Sequence, residues 1–101
     1  MIAPVVCAAL LAGCGNHDDL SSQGRGVFRS AGCGSCHTLS AAHAHGRVGP
    51  DFDTSEPLDR RQIRDRLDVG EGGMPSFRRR LTRHEEDAVA AFLYDATHDR
   101  H

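Results

Sequence analysis

Apolar and small residues fall in three separate runs along this chain, and the spacing inside each run is that of a helix. Gly24, Val27, Phe28 and Ala31 recur at three- and four-residue intervals, which makes one helix face small or apolar. Ser21 and Ser22 stand where a cap is needed, so a first helix is predicted over about 21–32. In the second run Ile63 and Leu67 share a face, Asp59 is placed to cap it, and Gln62 is placed to reach back to Asp59. Leu58 would pack on Ile63 across that start. The helix is predicted over about 59–69, with Gly70 as its left-handed end. Val89, Phe92, Leu93 and Ala96 form the third face, opened by a Thr82/Glu85 capping box and predicted over about 82–97. Glu85, Glu86 and Asp87 at its start, and His98, Arg100 and His101 near its end, suit the helix dipole. Residues 38–53, rich in Ala, Gly and His, read as loop. The expected fold class is therefore all-α, with three main helices.

Length changes this picture by limiting the core. The 101 residues allow one domain, and a domain this small buries only about 60% of its unfolded surface. Four Phe, one Tyr and no Trp leave little to pack with. Such a chain gains from a covalent staple and from a bound apolar body. The formal charge of −2 lacks the basic excess of a nucleic-acid binder. All twelve basic residues are arginine, a compositional bias with no functional reading attached.

Both a staple and an apolar body are suggested by one stretch. Cys33-Gly34-Ser35-Cys36-His37 has the form Cys-x-x-Cys-His, which attaches a c-type haem. Each thiol adds across one haem vinyl group to give a thioether, and the next residue offers its imidazole to one face of the iron. The other two cysteines, Cys7 and Cys14, lie in an apolar leader, so the count of four does not describe two disulfides.

Residues 2–13 are almost wholly apolar and too short to span a bilayer as a helix, which takes about 20 residues. They read as the hydrophobic region of a secretory signal peptide. Leu11-Ala12-Gly13-Cys14 resembles the lipobox of bacterial lipoproteins. That resemblance implies cleavage before Cys14, lipidation of its thiol and anchoring in a membrane leaflet, where several acyl chains hold stably and one alone does not. No Lys or Arg precedes the apolar run, a departure from the usual charged start. The expected organisation is a signal peptide over 1–13, a tether over 14–20 and one domain over 21–101.

Gly24, Phe28, Cys33, Cys36 and His37 together resemble the N-terminal helix of class I cytochromes c, the small monohaem carriers of bacteria. The resemblance runs to about Leu93. It implies that Gly24 and Phe28 pack against the C-terminal helix near Phe92. It also implies that the Pro50 carbonyl, in Val48-Gly49-Pro50-Asp51-Phe52, accepts the proton on the far nitrogen of His37. Met74, in Gly70-Glu71-Gly72-Gly73-Met74-Pro75, matches the family's second axial ligand, so His37 and Met74 would hold the iron. A methionine between glycines and a proline is in any case poorly placed to fill a core. Arg47 is a candidate partner for a haem propionate. His43 and His45 read as solvated loop residues, and His84 and His98, on a capped helix, as non-ligands. The family usually carries an aliphatic residue where this chain has Glu86, which implies looser packing there.

The function implied is that of an extracytoplasmic one-electron carrier with a single covalent haem c, not an enzyme. It would pass electrons between respiratory or dehydrogenase complexes, as a monomer or as a subunit of a respiratory complex. Arg78, Arg79, Arg80 and Arg83 follow the methionine segment closely and could steer an acidic redox partner. Two other classes compete. A thiol-disulfide oxidoreductase using Cys33 and Cys36 requires a strand before the motif and a helix starting at it. A haem sensor or peroxidase requires a labile Met74.

Overall fold

In the computed structural model, which describes residues 17–98, three helices enclose a loop segment. The first, α1, spans His17–Ser30. It begins earlier than the Ser21/Ser22 cap would allow, and both serines lie inside it. The added turn is compatible with its polar residues and carries an i, i+4 contact, Gln23 Nε2 donating to Asp19 Oδ2 at 3.1 Å. The helix stops at Ser30, two residues before the expected end, because Gly32 turns the chain at φ 82°. Cys14 and the leader lie outside the described residues.

After α1 a short 3₁₀ turn, Cys33–Ser35, leads into the loop. The loop is more ordered than its composition suggests, and the all-α expectation needs one amendment. Thr38–Leu39 (β1) and Ala44–His45 (β2) pair antiparallel, with Thr38 opposite His45 and Leu39 opposite Ala44. A 3₁₀ turn at Ser40–Ala42 and a left-handed His43 at φ 53° join them. Burial accounts for this ribbon: Leu39, Ala42 and Ala44 are all buried. On the outside, Asp53 Oδ2 accepts from the Ser40 hydroxyl at 2.7 Å.

Helix α2 spans Arg60–Val69. Both halves of its expected capping box are present, with Gln62 N donating to Asp59 Oδ1 at 2.8 Å and Asp59 N donating to Gln62 Oε1 at 2.9 Å. Gly70 ends it at positive φ (71°), but its ψ of 178° is extended rather than left-handed helical. The reason is the next turn: Glu71 and Met74 exchange backbone hydrogen bonds of 3.1 and 2.9 Å, and the chain folds back across Gly70. A Cβ on Gly70 would lie 2.6 Å from the Met74 carbonyl oxygen, so only glycine fits.

Helix α3 spans Arg83–His98, and its start is boxed by Thr82 and Glu85, Thr82 N to Glu85 Oε1 at 2.8 Å and Glu85 N to Thr82 Oγ1 at 3.1 Å. The most extensive packing in the fold is between α1 and α3. They meet at Gly24, where a side chain would overlap the Ala88 carbonyl and lie 2.8 Å from Phe92 Cβ. Phe28 and Phe92 then meet edge to face with ring centroids 5.7 Å apart. The core continues from this crossing through Val89 and Leu93 to Ile63 and Leu67 of α2. No described helix is long and apolar enough to cross a membrane.

Candidate cofactor site

A cavity of about 400 Å³ opens between α2, α3 and the two loop segments. That is within the ordinary range for small-molecule and cofactor sites. Phe28, Ile63, Leu67, Phe77, Val89 and Leu93 supply apolar walls, while Cys33, Cys36, His37 and Met74 reach it from the loops. The folding of these loops explains why four residues spread over the sequence share one space.

The Cys33–Cys36 turn is held from behind by Gly46. Its amide donates to both the Gly34 and His37 carbonyls, each at 3.1 Å. A Cβ on Gly46 would lie 2.5 Å from the Cys36 nitrogen, so this clamp requires glycine. Thr38 Oγ1 donates to the Gly46 carbonyl at 2.8 Å and closes it. Neither cysteine is bridged; Cys36 is exposed and Cys33 half-buried. Burial pushes the Cys33 thiol above its ordinary value, its own backbone hydrogen bond opposes this, and the neighbouring Cys36 thiol adds to the rise.

His37 is 8% exposed, and its ring is fixed on three sides. Its Nδ1 lies 2.9 Å from the Pro50 carbonyl oxygen. A carbonyl only accepts, so the proton belongs on Nδ1 and Nε2 keeps its lone pair. Phe52 stacks on the ring at 4.4 Å between centroids and 18° between planes. Gly49 closes the other approach, where a Cβ would come within 2.5 Å of Cε1. A free imidazole nitrogen aligned by a backbone carbonyl is the arrangement metal-ligating histidines use.

Met74 is half-buried at the end of the Glu71–Met74 turn. The segment after it is sewn to the end of α2: Phe77 N donates to the Leu67 carbonyl and Ser76 Oγ to the Asp68 carbonyl, both at 2.6 Å. Arg66 of α2 pairs with Glu71, and both line the cavity.

None of the other sequence candidates lines the cavity. Arg47, His43 and His45 are exposed and do not line it. His84 contacts Gln23 Oε1 at 2.9 Å and His98 the Tyr94 carbonyl at 2.8 Å; neither lines the cavity. Arg78, Arg79, Arg80 and Arg83 are all exposed, and the Arg80 guanidinium lies 5.4 Å from the Phe77 ring, which is part of the cavity wall. Glu86 is buried, as the aliphatic residue that the resemblance implies at its position would be. Gly46, Phe52 and the Arg66–Glu71 pair were not singled out from the sequence. Gly49 was visible beside Pro50, but nothing local marks a glycine as the neighbour of a ring twelve residues away.

A helix before a Cys-x-x-Cys-His turn, and an apolar cavity that this turn shares with a methionine loop, define a c-type cytochrome domain. The chain belongs to the family described as cytochrome C oxidase, cbb3-type, subunit III, which matches residues 19–93. It is also similar to the crystal structure of the c-type cytochrome SorU from Sinorhizobium meliloti, with 34% sequence identity and a TM-score of 0.72, over 79% of this chain and 93% of that one. Comparison with curated proteins gave no match. The family implies covalently bound haem c, and the residues present fit it: two unbridged thiols, an oriented imidazole and an apolar cavity.

Proposed function

We propose that this protein is an extracytoplasmic one-electron carrier holding a single haem c, with Cys33 and Cys36 as its thioether donors and His37 and Met74 as its axial ligands. Bound haem supplies a one-electron ferrous/ferric couple. The observation that carries the reading is that His37, with Nδ1 facing the Pro50 carbonyl, and Met74 line the same cavity as both cysteines.

Each residue then has a defined task. Pro50 keeps the Nδ1 proton in place, so that Nε2 stays a donor. Phe52 and Gly49 stop the His37 ring from turning. The soft Met74 thioether favours the reduced ion and raises the potential relative to a second imidazole. The apolar wall would keep water from the bound group, and a haem iron held by both His37 and Met74 would have no place for a substrate. Electron transfer, not catalysis, is the activity such a site supports.

Partner docking falls to the exposed Arg78, Arg79, Arg80 and Arg83, which would draw in an acidic protein by long-range attraction. Val48, 81% exposed and part of the cavity lining, offers an apolar contact at the opening. The donor and acceptor are respiratory or dehydrogenase complexes, and Cys14 provides a lipid anchor that keeps the carrier at the membrane. A thiol-disulfide oxidoreductase fits less well, because α1 precedes the motif where that chemistry needs a strand.

The test is the optical spectrum of wild type and Met74→Ala, produced in a host that matures c-type haem. Wild type is expected to show the near-infrared band of sulfur on ferric iron and to resist carbon monoxide when reduced. Met74→Ala is expected to lose the band and bind carbon monoxide. A colourless protein with free thiols would refute the carrier, and carbon monoxide binding by wild type would favour a sensor or peroxidase.

A further inference from the structure

A second cavity, of about 390 Å³, opens beside the Cys33–Ser35 turn, with no proposed cofactor ligand in its lining. The turn divides its residues between the two spaces. Cys33 and Cys36 line the cofactor cavity, and Gly34 and Ser35, between them in sequence, line the second. Phe28 and Gly32 belong to both walls. Whatever enters the second cavity is therefore set against the outer side of the turn that bears both cysteines.

The charged and titratable side chains lining this cavity are Arg29, His43 and His45, and no carboxylate is among them. Their convergence has a packing cause. Ala44 is buried and lies so close to Gly34 that a Cβ on that glycine would come to 3.0 Å from the Ala44 Cβ. The Gly46 amide donates to the Gly34 carbonyl at 3.1 Å and pins the end of β2 to the turn. His43 and His45, on either side of Ala44, are thus carried to the cavity, while Arg29 comes from the last turn of α1. All three are exposed, and none of these side chains has a hydrogen bond or ion pair with the described residues. Elsewhere the chain supplies acids to its arginines, as in Arg64 with Asp87 and Arg66 with Glu71. A guanidinium carries several N–H donors and an imidazole at least one in either protonation state. Such a set suits carboxylates, which accept charge-assisted hydrogen bonds from it. The donors are spread over α1 and β2, which favours several carboxylates on one segment over a single small ion.

We infer that this cavity is a docking site for an acidic segment of the redox partner, with Arg29, His43 and His45 taking its carboxylates. The inference deepens the carrier reading and rests on it for the nature of the partner; the binding itself uses side chains that are present whatever ligates the iron. It gives the carrier a contact separate from Arg78, Arg79, Arg80 and Arg83, placed against the haem-bearing turn.

The experiment is a titration of the reduced holoprotein with a hexaglutamate peptide at low ionic strength, followed by nuclear magnetic resonance at the His43 and His45 rings and the Arg29 Nε–H. Wild type is expected to show saturable shifts at all three. Arg29→Gln, His45→Ala and His43→Gly, the last chosen to suit the left-handed backbone there, should each weaken binding about two- to fivefold, the size of an exposed ion pair. The triple variant should lose about tenfold or more, since separate contacts add. Arg61→Gln, an equal loss of charge at an exposed residue of α2 that lines neither cavity, should change binding by less than about twofold. No saturable shift at His43 and His45, shifts confined to Arg78, Arg79, Arg80 and Arg83, an Arg61→Gln loss as large as that of Arg29→Gln, or saturation by inorganic phosphate with no response to the peptide would each overturn the inference. The near-infrared band of the same samples after oxidation judges the iron ligands separately: its absence would refute Met74 ligation and leave the peptide titration to be read as it stands.

Discussion

Gly24 on α1 and Ala88 on α3 meet backbone to backbone, with no room for a side chain between them. The obstacle is a carbonyl, not the flexible end of a side chain, so it cannot give way. Gly24→Ala is expected to destabilise the holoprotein by about 3 kcal/mol or more, read by denaturant unfolding. A loss within about 0.5 kcal/mol, the range of an ordinary surface substitution, would show that the helices cross elsewhere.

Gly49 and His37 stand in the same relation at the cofactor site. A Cβ at Gly49 would push on Cε1 and Nδ1, at 2.5 and 2.9 Å, and so move the ring away from the Pro50 carbonyl. With His37 as the proposed iron ligand, Gly49→Ala is expected to weaken that ligation about tenfold or more, as losses of such outer partners do. It should also raise the reduction potential, because a less basic imidazole supports ferric iron less well. Voltammetry and displacement by added imidazole would check both, and unchanged values would mean the ring needs no wedge.

Asp59 caps α2 with both reciprocal bonds in place. Asp59→Ala should lower stability by about 1 kcal/mol, and a large share of that loss should appear as faster exchange in the first turn of α2 only. The Arg66–Glu71 pair, by contrast, has more than half of each side chain exposed. Its coupling in a double-mutant cycle should be no more than about 1 kcal/mol, falling further in high salt.

Replacing Glu86 by leucine should make the protein more stable at pH 7.5. Burial above all pushes its carboxyl up from 4.5 to about 7, so the charge then present at this buried position is unfavourable, and an apolar side chain of similar size relieves it by about 1–3 kcal/mol. At pH 4 the gain should largely disappear, since the protonated acid is no longer penalised. Thermal unfolding at the two pH values measures the difference.

Charge reversal at Arg78, Arg79 and Arg83 should slow electron transfer to an acidic partner and flatten its dependence on ionic strength, with little change in potential. Arg80 is left in place because it covers Phe77. A rate indifferent to these three charges would move the docking face elsewhere.

Much of this was legible in the sequence because the signals were local or periodic. The Gly24–Phe28 spacing marked a face open to close approach, the resemblance it carried implied a crossing near Phe92, and Phe92 does meet both residues. The Asp59/Gln62 and Thr82/Glu85 boxes are four-residue patterns and appear as read. What escaped depends on chain segments that only the fold brings together. Gly46 and Gly49 matter because of a turn and a ring nine or more residues upstream, and an isolated glycine in a loop carries no sign of what will press on it. The ribbon of Thr38–Leu39 with Ala44–His45 is too short for any alternation to show. Glu86 stood out only as a departure from the aliphatic residue the resemblance implies, and that it is nonetheless a buried group shows only in the fold. Arg66 lines the cavity beside Glu71, and nothing local to it in the sequence marks it for that place.

The crossing of α1 with α3 joins the first described element to the last. A chain made from its N-terminus therefore displays Cys33 and Cys36 well before the segment around Ala88 exists to close over Gly24. The order of residues along the chain thus presents the two thiols first and supplies the tight glycine contact last.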